Sequence, residues 1–308
     1  MILTPWGQME VADAHLHFFS PAFFESLASQ KNATAADIGT TLEWNVPESV
    51  EYLADRWVVE MNHRGVDRAV IIGSVPGDVD SVGAAVQRHP SRFRSIVMVN
   101  PVHAGGDTRS SQALDDGLID GVFLFPAMHR YSLHDTHVHS LLSSLSGRQG
   151  NAVVYVHCGM LSVAFRRKLG LPCLFDMRYA NPVDLHDIAL EFPHLSFVIP
   201  HFGAGFFRES LMLADLCPNV YLDTSSSNRW MATQPGNLNL TDVFRRALDV
   251  AGPKRLLFGT DSSWFPRGWT QEIFDAQVKA LEAAGADAES ARAVFGGNLT
   301  SLFRFSTE

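Results

Sequence analysis

Cysteine is scarce in this chain. Cys158, Cys173 and Cys217 are the only three among 308 residues, odd in number and without the spacing of a disulfide framework or a cysteine metal site. They read as buried, reduced thiols of a cytoplasmic protein. Basic charge is also short: 24 lysines and arginines stand against 33 acidic residues, a net charge of −9 spread along the sequence. That argues against a nucleic-acid surface, which needs a basic face. No stretch approaches the roughly eighteen apolar residues that span a bilayer, and Met1-Ile2-Leu3-Thr4-Pro5-Trp6 lacks the basic segment and apolar run of a secretory signal. No membrane partner is expected. A glycine-rich dinucleotide fingerprint after the first strand is missing too. What remains is an ordinary globular composition, 46% hydrophobic and 19% charged, on a chain long enough to bury a full core.

The apolar residues come in eight short runs: Val11 to Phe19, Arg68 to Gly73, Ser95 to Asn100, Gly121 to Phe125, Ala152 to His157, Leu195 to His201, Asn219 to Asp223 and Arg255 to Asp261. Helical patterns separate them. Val50, Leu53, Trp57 and Met61 recur at helical spacing, and prolines close several segments. Runs that do not alternate with polar residues, joined by helices, imply parallel strands buried on both faces. Eight such units predict a (β/α)8 TIM barrel, one α/β domain over residues 1–308. Two additions are expected: a long insertion after strand 1, from Ser20 to Pro47, serving as a lid or a subunit contact, and a helical tail from Ala288 to Phe303.

Active sites of this barrel lie at the C-terminal ends of the strands. His15 and His17 end strand 1, His157 ends strand 5, His201 strand 6 and Asp261 strand 8. On an extended strand Asp13, His15 and His17 face the same way, with neighbouring side chains of that face about 7 Å apart. A lone strand-end histidine is ordinarily a hydrogen-bonded structural residue, and Asp261 also suits a turn cap. The conjunction of five such residues favours a divalent ion such as zinc, with a position left for water. An ion there lowers the pKa of that water towards neutrality. His201 and Asp261 are the candidate catalytic residues that move the proton.

Taken together, Asp13-x-His15-x-His17, His157, His201-x-Gly203 and Gly259-Thr260-Asp261 resemble the amidohydrolase superfamily, in particular the amidohydrolase-related branch that contains aminocarboxymuconate-semialdehyde decarboxylase. The ending Gly296-Gly297-Asn298-Leu299-Thr300-Ser301-Leu302-Phe303 is similar to that branch's terminal signature. The resemblance implies a mononuclear site with His15, His17, His157 and Asp261 as ligands and His201 beside the activated water. It leaves Zn2+ first among metals, with Mn2+, Fe2+ or Co2+ as alternatives, and implies a homo-oligomer, a dimer or larger. Binuclear relatives carry a bridging lysine on strand 4. Gly121-Val122-Phe123-Leu124-Phe125 has none, so one ion is expected.

His137-Val138-His139 is a second His-x-His. In a helix its two rings diverge by roughly 200°, which marks them as surface residues. Arg130 and Arg178 are the expected substrate-binding residues, because a guanidinium matches a carboxylate. His103 and His129 are further candidates, and Phe18, Phe19, Trp44, Trp230, Trp264 and Phe265 suggest a partly apolar, cyclic or aromatic small molecule. The leading function is hydrolysis of an ester, lactone or amide. Non-oxidative decarboxylation of an unsaturated or aromatic acid is the alternative, and a non-catalytic metal-binding barrel the third.

Overall fold

A computed structural model of the chain describes residues 1–103, 106–147 and 152–305; the last three positions of the expected unit lie outside them. Eight parallel strands follow one another around the sheet in chain order: β1 (Ala12–Phe18), β2 (Arg68–Gly73), β3 (Phe93–Val99), β4 (Gly121–Leu124), β5 (Val153–Val156), β6 (Ser196–Ile199), β7 (Val220–Asp223) and β8 (Leu256–Leu257). The ring closes between β1 and the segment after β8. Ala14 N donates to Phe258 O at 2.8 Å, Asp261 N to His15 O at 2.9 Å and His17 N to Ser262 O at 2.8 Å. The expected TIM barrel is the fold.

Both strand faces are buried, as the unbroken apolar runs require. Val70, Ile72, Ile96, Phe123, Tyr155 and Val198 pack together inside the barrel, while Ile71, Val97, Val122, Val154 and Phe197 face the surrounding helices. The tail comprises Ala288–Arg292, a wide turn at Ala293–Gly297 and Asn298–Leu302. Its Leu299 and Phe303, with Phe305 beyond, join the interior cluster. A hairpin that sequence reading missed, Ile2–Thr4 with Gly7–Met9, packs Trp6 against Phe295 and donates its indole N–H to Ala286 O.

The segment from Ser20 to Pro47, expected only as an insertion, holds two helices, Pro21–Lys31 and Ala35–Leu42. Local chemistry explains both. Ser20 caps the first, with Pro21 preset at its start. Thr34 and Asp37 form a reciprocal capping box on the second. The three cysteines are free, and Cys158 and Cys217 are buried, but Cys173 is exposed, contrary to expectation. No helix among the described residues is long and apolar enough to cross a membrane.

Candidate metal centre

The floor of the site is where β1, β7 and the turn after β8 meet. Register between β1 and β2 shifts between Asp13 and Leu16, and this separates Asp13 from the two histidines that sequence alternation placed beside it. Asp13 is fully buried and accepts bonds from the His15 and Thr260 backbone N–H, the Thr260 hydroxyl and the Trp269 indole. Burial pushes its pKa up to about 6 against those bonds. Its role is to tie β1 to the β8 turn.

His15 and His17 each present one ring nitrogen inward, and their other nitrogens decide which tautomer they hold. The Asp223 carboxylate accepts from His15 Nδ1 at 2.6 Å. Ser74 donates its only hydroxyl proton to Ile72 O at 3.1 Å, so it accepts from His17 Nδ1 at 2.7 Å. In the neutral rings both Nε2 atoms therefore carry lone pairs. They face Asp261 Oδ1, at 3.8 Å from His15 and 3.4 Å from His17. His15 Nε2 is buried with no hydrogen-bond partner. Lone pairs converging on a carboxylate repel unless a proton or a cation lies among them. One ligand atom from each of His15, His17 and Asp261 lies within 4.8 Å of the others, and this donor set suits a divalent ion.

Electrostatics follow the same layout. Burial disfavours a charged His15, but the Asp223 carboxylate outweighs it, with Asp261 and Asp13 behind, so the ring's pKa is raised. Burial lowers those of His17, His157 and His201; the His201 ring and then the His15 ring add to it at His157, and the His15 ring adds to it at His201 and His17. Burial likewise works against an ionised Asp261, yet the His17 hydrogen bond and the His15 and His201 rings hold its carboxyl well below the usual range. The backbone is bent to place these groups: His201 (φ 57°) and Asp261 (φ 62°) both sit in the left-handed region that non-glycine residues seldom adopt. A Cβ on Gly259 would lie 3.0 Å from that of His15 and 2.9 Å from that of Ser225, so only glycine lets the β8 turn pass so close.

Three of the four expected ligands thus come together. His157 stands outside that set: its ring stacks on Phe125 at 5.4 Å and meets His201 edge-on at 5.4 Å, with Nδ1 buried and unpartnered. His201 lies 4.9 Å from His15, ring to ring, with Nδ1 on Ser225 Oγ at 2.8 Å. All five line a cavity of about 640 Å³ whose walls include Phe19, Trp44, Phe123, Phe125, Phe165 and Trp264. Phe18, Trp230 and Phe265 belong to the core instead.

His129 lines the cavity as well, and burial lowers its pKa to about 4; His103 does not line it. Neither do the two expected substrate arginines. Arg130 donates to Leu174 O at 3.3 Å on the surface, and Arg178 is captured by Asp176 at 2.6 Å with 82% of its side chain exposed. Arg166 and Arg267 reach the cavity in their place. The surface reading of the second His-x-His holds, with His137 on Asp135 and His139 on Glu191. Sequence reading placed Asp223 and Ser225 only among the short polar groups after strand 7 that could line the pocket, not on the His15 and His201 rings, and passed over Ser74, whose strand-end position was the available signal.

A family model described as amidohydrolase matches residues 12–305. The chain belongs to the amidohydrolase family. This amidohydrolase is 30% identical over 87 residues to Protein fluG of Emericella nidulans, a match spanning 28% of the chain and only 10% of that protein. Among solved structures, it resembles the manganese-bound 5-carboxyvanillate decarboxylase of Novosphingobium aromaticivorans (TM-score 0.64, 14% identity, 97% of each chain). It also resembles a Pseudomonas putida protein assigned as a 2-pyrone-4,6-dicarboxylic acid hydrolase (TM-score 0.60, 21% identity, 100% of each chain). These structural likenesses bear on the fold. The family is metal-dependent, and both reaction types occur on this barrel.

Proposed function

We propose that this amidohydrolase is a hydrolase that opens an ester, lactone or amide bond in a small, largely apolar, cyclic substrate. The observation that carries the proposal is the convergence of His15 Nε2, His17 Nε2 and Asp261 Oδ1 at the floor of an aromatic cavity. When bound there, a divalent ion, Zn2+ in the first instance, supplies Lewis acidity and lowers the pKa of a water beside it. His15 and His17 hold it through Nε2, Asp261 through a carboxylate oxygen, with His157 as the fourth candidate ligand. Ser225 engages Nδ1 of His201, so Nε2 of that ring is the nitrogen free to exchange a proton with water or leaving group. Asp261 is the second acceptor. The aromatic walls orient a flat ring and shed bulk water from the floor.

The same walls suit an aromatic acid, and this observation favours decarboxylation as the second reading. The test is turnover of aryl esters, lactones and aromatic acids by metal-loaded protein in 18O-labelled water. Label in a newly formed carboxylate supports hydrolysis. Release of carbon dioxide with no water in the product supports the decarboxylase and overturns the first reading.

A further inference from the structure

Arg267 stands where the cavity meets a shallower outer groove of about 580 Å³, and it lines both, together with Trp44, Phe165 and Trp264. Its guanidinium carbon lies 3.5 Å from the centre of the Trp264 ring. One nitrogen, Nη2, donates to Asp261 O and Ser263 Oγ, each at 3.2 Å. These contacts fix the plane of the group and leave Nε and Nη1 without a partner among the described residues. No described carboxylate lies within ion-pair range of it, whereas Arg178 and Arg208, elsewhere on the chain, are each paired with a neighbouring acid. Arg166, the other arginine of the cavity, is tied to Pro172 O and Gln30 Oε1. Arg267 is therefore a pre-oriented cation at the mouth of a chamber with aromatic walls and a polar floor, and a planar fork of this kind matches a carboxylate.

We infer that Arg267 anchors a carboxylate at the end of the substrate remote from the bond that is cleaved. The inference rests on the hydrolase reading of the same site. It makes the substrate bifunctional: a labile carbonyl at the floor, a flat ring against the aromatic wall, and one ionised carboxylate at the mouth that takes no part in the chemistry. One free arginine suits a single carboxylate better than two.

Binding is measured first, because it does not depend on turnover. The whole protein is titrated with 1-naphthoate and with the neutral 1-naphthamide, following tryptophan fluorescence and heat, before and after chelation; chelation removes any carboxylate held at the metal floor. About tenfold or greater preference for the anion is expected in both states, lost in Arg267→Gln, partly kept in Arg267→Lys, and unchanged in Arg178→Ala. Absence of binding, equal binding of the two probes, survival of the preference in Arg267→Gln, or its loss in Arg166→Gln instead would each overturn the anchor. Where esters are turned over, Arg267→Gln should raise KM for a carboxylated ester about tenfold more than for its uncharged counterpart, because both esters share any disturbance of the Asp261 turn. A protein with the anion preference but no ester turnover would retain the anchor and reject the hydrolase reading.

Discussion

At the floor of the cavity, polar atoms are held by buried hydrogen bonds from strands far apart in sequence, whereas the roof is held by stacked rings. Asp13 and Asp223 sit at full burial and fix the β8 turn and the His15 ring. Over the mouth, planar groups form a column. Phe23 stacks on Phe19 at 4.0 Å, Phe19 on Trp44 at 5.5 Å, Trp44 on Trp264 at 4.6 Å, and Arg267 lies on Trp264. Among the described residues, few polar ties join the two roof helices to the segment after β5: Lys31 to Leu169 O, Arg166 to Gln30, and Lys168 to Leu42 O and Glu43. Directional bonds in a dry floor define one geometry, and loss of one partner strands the other. Stacked rings tolerate sliding at small cost. The floor is thus built for position and the roof for accommodation.

The sharpest break in that contrast is at the ligands. In the double variant His15→Ala, His17→Ala, elemental analysis should find metal falling from about one equivalent to background, with activity lost and the roof intact. Asp223→Ala comes next. It removes the acceptor that fixes the His15 tautomer, and metal affinity should weaken about 10- to 100-fold in competition with a chelator.

Trp44→Ala attacks the roof alone. Hydrogen exchange over residues 21–42 should report local opening easier by about 2 kcal/mol, with metal stoichiometry unchanged. An unaltered exchange pattern would mean that the column does not hold the roof. The smallest effect is expected at Asp120, near the opposite end of the barrel, where burial raises its carboxyl to about 6 against a bond from Ser95 N and the Arg94 charge. The native state binds this proton more tightly than the unfolded chain, so its contribution is full below about pH 4 and is lost as pH rises through 6. Asp120→Asn should flatten that decline by about 1 kcal/mol in denaturant titrations from pH 4 to 8, since solvent screens a side chain that is 30% exposed, leaving floor and roof alone.

The barrel was legible because burial on both faces writes an unbroken apolar run for every strand, and strands 1, 5, 6 and 8 end in residues that few structural roles require together. Histidine and aspartate types at those ends sufficed to name the candidate ligands. The two roof helices were overlooked although Ser20-Pro21 and Thr34 with Asp37 are cap signals readable in sequence. What one sequence leaves open is partner choice. Arg178 and Arg267 both follow strands, yet Asp176 takes the first to the surface and Trp264 turns the second to the mouth. Asp13 and Asp223 are both strand acids, yet a register shift in β1 sends one into the wall and the approach of β7 puts the other on His15. Hydrophobic pattern is a property of the chain, because burial sums over many residues. A hydrogen bond is made or lost within a few tenths of an ångström, between segments that only the closed barrel brings together.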